Sequence, residues 1–130
     1  MLAANGWQHT QSRVSAPPWA PYKRIRVDSG MVKLLKALWK QGVVTRFSCE
    51  CWNEWSCEYN PYGHFTEDGK VQVVFTGEND KENRDYGVHA LRELLGVEEL
   101  YPVGWCFHEN YLEDLFVYFP RDLLVKFNDN

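Results

Sequence analysis

Hydrophobic residues along the chain follow two periods. Met31, Leu34, Leu35 and Leu38 fall at i, i+3, i+4 and i+7, one stripe of an amphipathic helix. The spacing predicts a helix over 29–41, capped by Asp28 or Ser29 and stopped at Gly42. Val43 to Cys49 then reads as a strand entered from the glycine. Val71, Val73 and Phe75 alternate with Gln72, Val74 and Thr76 in a second strand, with the turn pair Asp68-Gly69 just before it. Tyr86, Leu91, Leu94 and Leu95 give a second helix over 83–95 its core face, and Gly96 ends it. Strands are expected over 103–109 and 115–119, joined by a turn through Asn110. Pro120 and Asp122 open a short final helix holding Leu123, Leu124 and Phe127.

The order helix–strand–strand–helix–strand–strand–helix predicts an α+β fold, a two-layer sandwich with a largely antiparallel sheet. The αββ unit recurs, in pattern only. Residues 1–22 read as an extended N-terminal arm, because Pro17, Pro18 and Pro21 disfavour helix. Trp7, Trp19 and Tyr22 are its expected anchors. Residues 23–130 form a single domain with an aromatic-rich loop at 50–70.

Composition fits a packed domain: of 130 residues, 45% are hydrophobic and 25% charged. No apolar run approaches the roughly 20 residues of a membrane helix, and no secretory pattern follows the basic residues of the N-terminus. No membrane partner and a cytoplasmic protein are expected. The net charge of -4 hides a division. Residues 1–46 carry Arg13, Lys23, Arg24, Arg26, Lys33, Lys36, Lys40 and Arg46 against Asp28 alone, which is 8 − 1 = +7. The remaining residues carry 14 − 8 = 6 basic and 18 − 1 = 17 acidic groups, which is −11. A division of this kind is a clue to partners.

Four cysteines without a secretory signal suggest reduced thiols. Cys49, Cys51, Cys57 and His64 are good zinc ligands, although their spacing is not that of a known zinc site. Cys106 and His108 share one face of their strand, and would complete a site if the first and third strands were neighbours. No cofactor is expected, with zinc as the alternative. A nucleophilic cysteine would need His64 or His108 as base, but Glu50, Glu54, Glu58 and Glu109 nearby would raise a thiol pKa. Neither a nucleophile elbow, a phosphate-binding glycine loop nor a metalloprotease helix is present, so no catalytic residue is assigned.

The loop aromatics Trp52, Trp55, Tyr59 and Tyr62 alternate with glutamates. Stacking platforms for nucleic acid combine aromatics with Arg and Lys, so this surface suits a protein partner or self-association. Arg24, Arg26, Lys33, Lys36 and Lys40 are the candidate nucleic-acid contacts, and any such binding should be weak and salt-dependent.

Val27-Asp28-x2-Met31-x3-Leu35-x2-Leu38-Trp39-x2-Gly42-x2-Thr45-x2-Ser48-Cys49 resembles a small uncharacterised group of proteins from actinobacteria and their phages. In that group a helix ending in Leu-Trp-x-x-Gly leads to a strand ending in Thr-x-x-Ser-Cys. The strand ending in Phe119-Pro120 before a short helix is similar too. The resemblance implies no assigned activity. Glu50-Cys51-Trp52 stands where the group has a small, glycine-containing turn. A weaker similarity is to the Ser-Cys-Ser-Gly-Arg motif of the tRNA wybutosine-modification methyltransferase, whose Ser-Gly-Arg has no counterpart here. The reading that results is a small non-enzymatic protein-binding protein, regulatory or host-interacting. The alternatives are a nucleic-acid-associated protein using the basic helix face, or a metal- or small-ligand-binding domain centred on Ser48–Cys51.

Overall fold

The computed structural model describes residues 11–52, 70–77, 81–100, 102–110 and 113–130, with the backbone alone at 47 and 49–52. The chain opens with two strands, β1 (Gln11–Ser15) and β2 (Arg24–Asp28). A 3-10 turn (Ser29–Met31) leads into α1 (Val32–Lys40). Then come β3 (Thr45–Trp52), β4 (Lys70–Phe75), α2 (Lys81–Leu95), β5 (Cys106–Glu109), β6 (Leu115–Pro120) and α3 (Arg121–Asp129). From α1 onward this is the element order that the hydrophobic pattern predicts.

The four-stranded sheet has the order β3-β4-β6-β5, and every described pair is antiparallel. Exchanging β3 and β4 for β5 and β6 leaves that order unchanged, so the recurrence of αββ extends to the topology. Alternation turns Val71, Val73, Phe75, Val117 and Phe119 to one face. There they join Leu34, Leu35 and Leu38 of α1, Ala90 and Leu91 of α2 and Leu124 of α3 in one core. The three helices therefore cover one face, the two-layer arrangement of an α+β fold. Trp105 extends the core, its ring stacked at 5.2 Å on Phe119. Gly42 and Gly96 end α1 and α2 with φ of +83° and +72°, the left-handed stop that glycine allows.

Three expectations change. The division at residue 22 cuts through a hairpin: β1 pairs with β2, Arg13 opposite Arg26 and Val14 opposite Ile25. Val14 and Val27 are buried in the main core, so the arm is held by the same burial that holds the domain. The prolines lie in its connection. Pro17 O accepts the amide of Ala20 at 3.0 Å, closing a turn around Pro18, where the fixed φ of proline suits position i+1. Trp19 is 41% and Tyr22 70% exposed; Trp7 lies outside the described residues.

The second change concerns β3, which runs through Trp52 where a loop was expected from 50. Its 8 residues face the 6 of β4. Register shifts between Thr45 and Ser48 and between Cys49 and Trp52 take up the excess, each with the character of a β-bulge. The third concerns helix capping. Neither the 3-10 turn nor α1 has a side-chain cap, and the Ser29 hydroxyl instead hydrogen-bonds that of Ser12 at 2.7 Å.

Helix α2 crosses close over β4 at Gly87. A Cβ there would lie 2.6 to 2.9 Å from three atoms of the Phe75 ring, which is fully buried. Gly87→Ala should therefore destabilise the fold by about 1–3 kcal/mol, the cost of overpacking a filled core. A urea midpoint unchanged from that of the native chain would contradict this close approach.

Candidate functional site

A groove of about 490 Å3 opens between the hairpin, α1 and the start of β3. The β1–β2 connection supplies Trp19 and Tyr22; β2 supplies Arg26 and the buried Asp28; α1 supplies Trp39; β3 supplies Thr45, Arg46 and Ser48. Six positions of the segment singled out by its motif, Val27, Asp28, Leu35, Trp39, Thr45 and Ser48, line this one groove. The helix carries Leu35 and Trp39 on one side because four residues make about one turn. Gly42 then reverses the chain so that Thr45 meets Trp39, whose Nε1 donates to Thr45 Oγ1 at 2.9 Å. The indole is thereby fixed in orientation.

Arg46 is held from behind. Its Nε lies 3.3 Å from Asp114 Oδ2, and that carboxylate is 1% exposed. Asp114 Oδ1 also accepts the Gly77 amide at 3.0 Å. The contact engages one nitrogen of the guanidinium, and Arg46 also lines the groove. Beside it, Asn83 ties the ends of β3 and β4 together. Its Oδ1 accepts the Val44 amide at 2.7 Å, and its Nδ2 donates to Val44 O at 3.0 Å and Thr76 O at 2.6 Å. The groove thus combines aromatic surface, of which the Trp39 indole is fixed, an anchored arginine and short hydroxyl side chains, which suits noncovalent recognition of an amphipathic or anionic group.

A second polar cluster lies on the sheet face away from the core helices. Lys70, Gln72, Cys106 and Tyr118 are all at most 6% exposed. Lys70 Nζ donates to Gly104 O at 2.6 Å, and Gln72 Nε2 donates to Tyr118 Oη at 3.0 Å. Burial pushes the Lys70 pKa down, opposed by nearby Cys106 and Asp122. Burial pushes the Tyr118 pKa up, with Cys106 adding to this and the Gln72 hydrogen bond opposing it. Cys106 carries an unbridged thiol. A group so enclosed is out of reach of a dissolved ligand in this conformation.

Of the residues expected to carry function, Arg24 and Arg26 lie on the hairpin, with Arg26 at the groove. Lys33 is engaged elsewhere: its ammonium donates to Phe127 O at 2.8 Å and to Asn130 O, and sits 4.9 Å from the Phe127 ring centroid. It caps the C-terminal end of α3, where a cation is favoured. Lys36 and Lys40 are exposed on α1. The strand order separates β3 from β5 to opposite edges of the sheet, so Cys49 and Cys51 do not meet Cys106 and His108 as the four-ligand arrangement required. Among the described residues no group of three metal-ligating side chains forms. The side chains of Cys49, Cys51 and Trp52, and all of Trp55, Cys57, Tyr59, Tyr62 and His64, lie outside the described residues.

Sequence reasoning missed Trp19, Tyr22, Trp39, Thr45 and Arg46 as one surface. The signal was the alternation in Ser12-Arg13-Val14 and Ile25-Arg26-Val27, which predicts a hairpin and so returns the aromatic connection to the body of the protein. No protein-family model, curated protein or solved structure matches the chain. Among the described residues no helix is long and apolar enough to cross a membrane.

Proposed function

We propose that this chain is a small non-enzymatic binding protein whose working surface is the groove between the hairpin, α1 and β3, and whose partner is another protein. One observation carries the reading. The groove concentrates Trp19, Tyr22, Trp39, Arg26 and Arg46 around a concave surface, and Trp, Tyr and Arg are the residues that dominate binding energy at protein interfaces. Trp39 and Arg46 are already fixed by Thr45 and Asp114, which lowers the ordering cost on association.

The test is a photo-crosslinking residue at position 22, on the rim, and another at Val125, which is 42% exposed on α3. In cells that contain the partner, position 22 should yield a defined adduct that Trp19→Ala removes, and position 125 should not. Identical adducts from both positions, unaffected by Trp19→Ala, would reject the groove as the working surface.

A second reading is favoured by a single feature. Trp19 and Tyr22 are exposed beside Arg24 and Arg26, an aromatic-plus-arginine pattern that also suits single-stranded nucleic acid.

A further inference from the structure

We infer that the segment received by the groove is acidic and extended, its carboxylates meeting Arg26 and Arg46 in the groove and Arg13 and Arg24 on the adjoining hairpin face. The inference rests on the protein-binding reading of that groove and names the chemistry of the partner.

The hairpin register puts Arg13 directly opposite Arg26, and Arg24 opposite Ser15. Alternation places the three arginines on one face, and all three are exposed, while Val14 and Val27 are buried on the other. Two like charges directly opposite across an antiparallel pair are destabilising. No Asp or Glu occurs from residue 11 to residue 27, and Asp28 is buried. Among the described residues Arg13, Arg24 and Arg26 form no ion pair, whereas Arg46 and Arg84 each have a carboxylate partner. A carboxylate seated between Arg13 and Arg26 would remove their repulsion, so the patch is complementary to an anion before one arrives.

Two features choose a polypeptide over a polynucleotide. The groove runs between β2 and β3, which belong to different sheets and are both edge strands among the described residues. Edge strands present main-chain donors and acceptors to another extended main chain. Pro17, Ile25, Val27 and Leu35 add apolar lining between the charges, which suits aliphatic side chains alternating with acidic ones. The charge division supplies the second feature. A short acidic segment lying on the hairpin meets its field within a Debye length of about 8–10 Å. A long polynucleotide would also meet the rest of the chain, where residues 47–130 carry 17 acidic groups against 6 basic ones.

The experiment is fluorescence anisotropy on the full chain with three labelled probes: a 12-residue peptide alternating Glu with Val and Ser, the same peptide with Lys for Glu, and a dT oligonucleotide of 12 residues. The expected result is binding of the Glu peptide at least about tenfold tighter than either other probe, weakening as salt rises. Arg13→Ala/Arg26→Ala should weaken the Glu peptide about tenfold, and Trp19→Ala should weaken it too. Circular dichroism should match the native chain, because the two arginines are exposed. If the Glu and Lys peptides bind alike and both are lost with Trp19→Ala, the acidic inference is overturned and the protein-binding groove stands. If the oligonucleotide binds more tightly than the Glu peptide, the inference is overturned in favour of single-stranded nucleic acid. If no probe binds, the acidic inference is overturned, and the crosslink from position 22 decides the groove separately.

Discussion

Asn83→Ala should cost the fold about 3–5 kcal/mol. Asn83 is 8% exposed, and its amide serves three backbone groups, the N–H and C=O of Val44 and the C=O of Thr76. Each buried backbone group left without a partner costs about 1–3 kcal/mol, and water entering at the sheet end recovers part of that. For a chain of this length about 3–5 °C of melting temperature accompanies each kcal/mol, so a fall of about 10–20 °C is expected. Asn83→Asp separates the contributions: one carboxylate oxygen can still accept the Val44 amide, but the donor to the two carbonyls is gone and the second oxygen faces them in its place. It should be no more stable than the alanine variant at neutral pH. A loss under about 1 kcal/mol for Asn83→Ala would show that the strand end is held by the β3–β4 ladder alone. Because Val44 leads directly into Thr45 and Arg46 at the start of β3, a loosened strand end should also misplace the groove arginine.

The elements of the main domain were legible because each is amphipathic with a single period. Met31 to Leu38 can bury its stripe only as a helix, and Val71 to Phe75 only as a strand. The hairpin was hidden by its prolines. Pro17, Pro18 and Pro21 mark an extended arm in the sequence, yet they form the connection of a hairpin, and the strands on either side carry only Val14, Ile25 and Val27 as apolar inward residues. Three apolar positions are a weak periodic signal, and the partner of each strand is decided by a pairing that local sequence does not state. The extent of β3 was hidden for a related reason, since bulges break the alternation by which a strand is recognised. The candidate site suffered most. Trp19 is remote in sequence from Trp39 and Arg46, and the three converge through the hairpin, the helix and the turn at Gly42. The meeting of Cys49 and Cys51 with Cys106 and His108 failed on strand order, because adjacency of two strands cannot be read from their own residues. Lys33 had the spacing of a solvated lysine stripe, but the chain end that it caps is remote in sequence.

Lys70→Ala and Lys70→Met should part widely in stability, and the difference tests how a lysine comes to be buried. The Lys70 side chain is 1% exposed. Removing its stem should leave a cavity and cost about 2–5 kcal/mol, as for large aliphatic side chains cut to alanine. Methionine keeps most of the stem and removes the ammonium. It loses the hydrogen bond to Gly104 O but also the cost of holding a cation out of water. Lys70→Met should therefore fall within about 1 kcal/mol of the native chain at neutral pH. The pH dependence gives the sign. Burial lowers the folded pKa of Lys70 below its ordinary 10.5. Below the folded value both states hold the proton, and the burial penalty is present in full. As pH rises from the folded value toward 10.5, the unfolded chain binds more protons than the folded one, so stability rises with pH. Tyr118 acts in the opposite sense above its ordinary 10.0, where the folded state keeps a proton that the unfolded chain loses, and stability falls. Unfolding free energies in urea, measured from about pH 7 to about pH 11 with thiols reduced, should show Lys70→Met gaining less than the native chain as pH approaches 10.5. Tyr118→Phe should lose the alkaline fall instead. Parallel curves for the native chain and Lys70→Met would mean that Lys70 keeps its ordinary pKa in the fold, and that Gly104 O and neighbouring groups solvate the ammonium as well as water does.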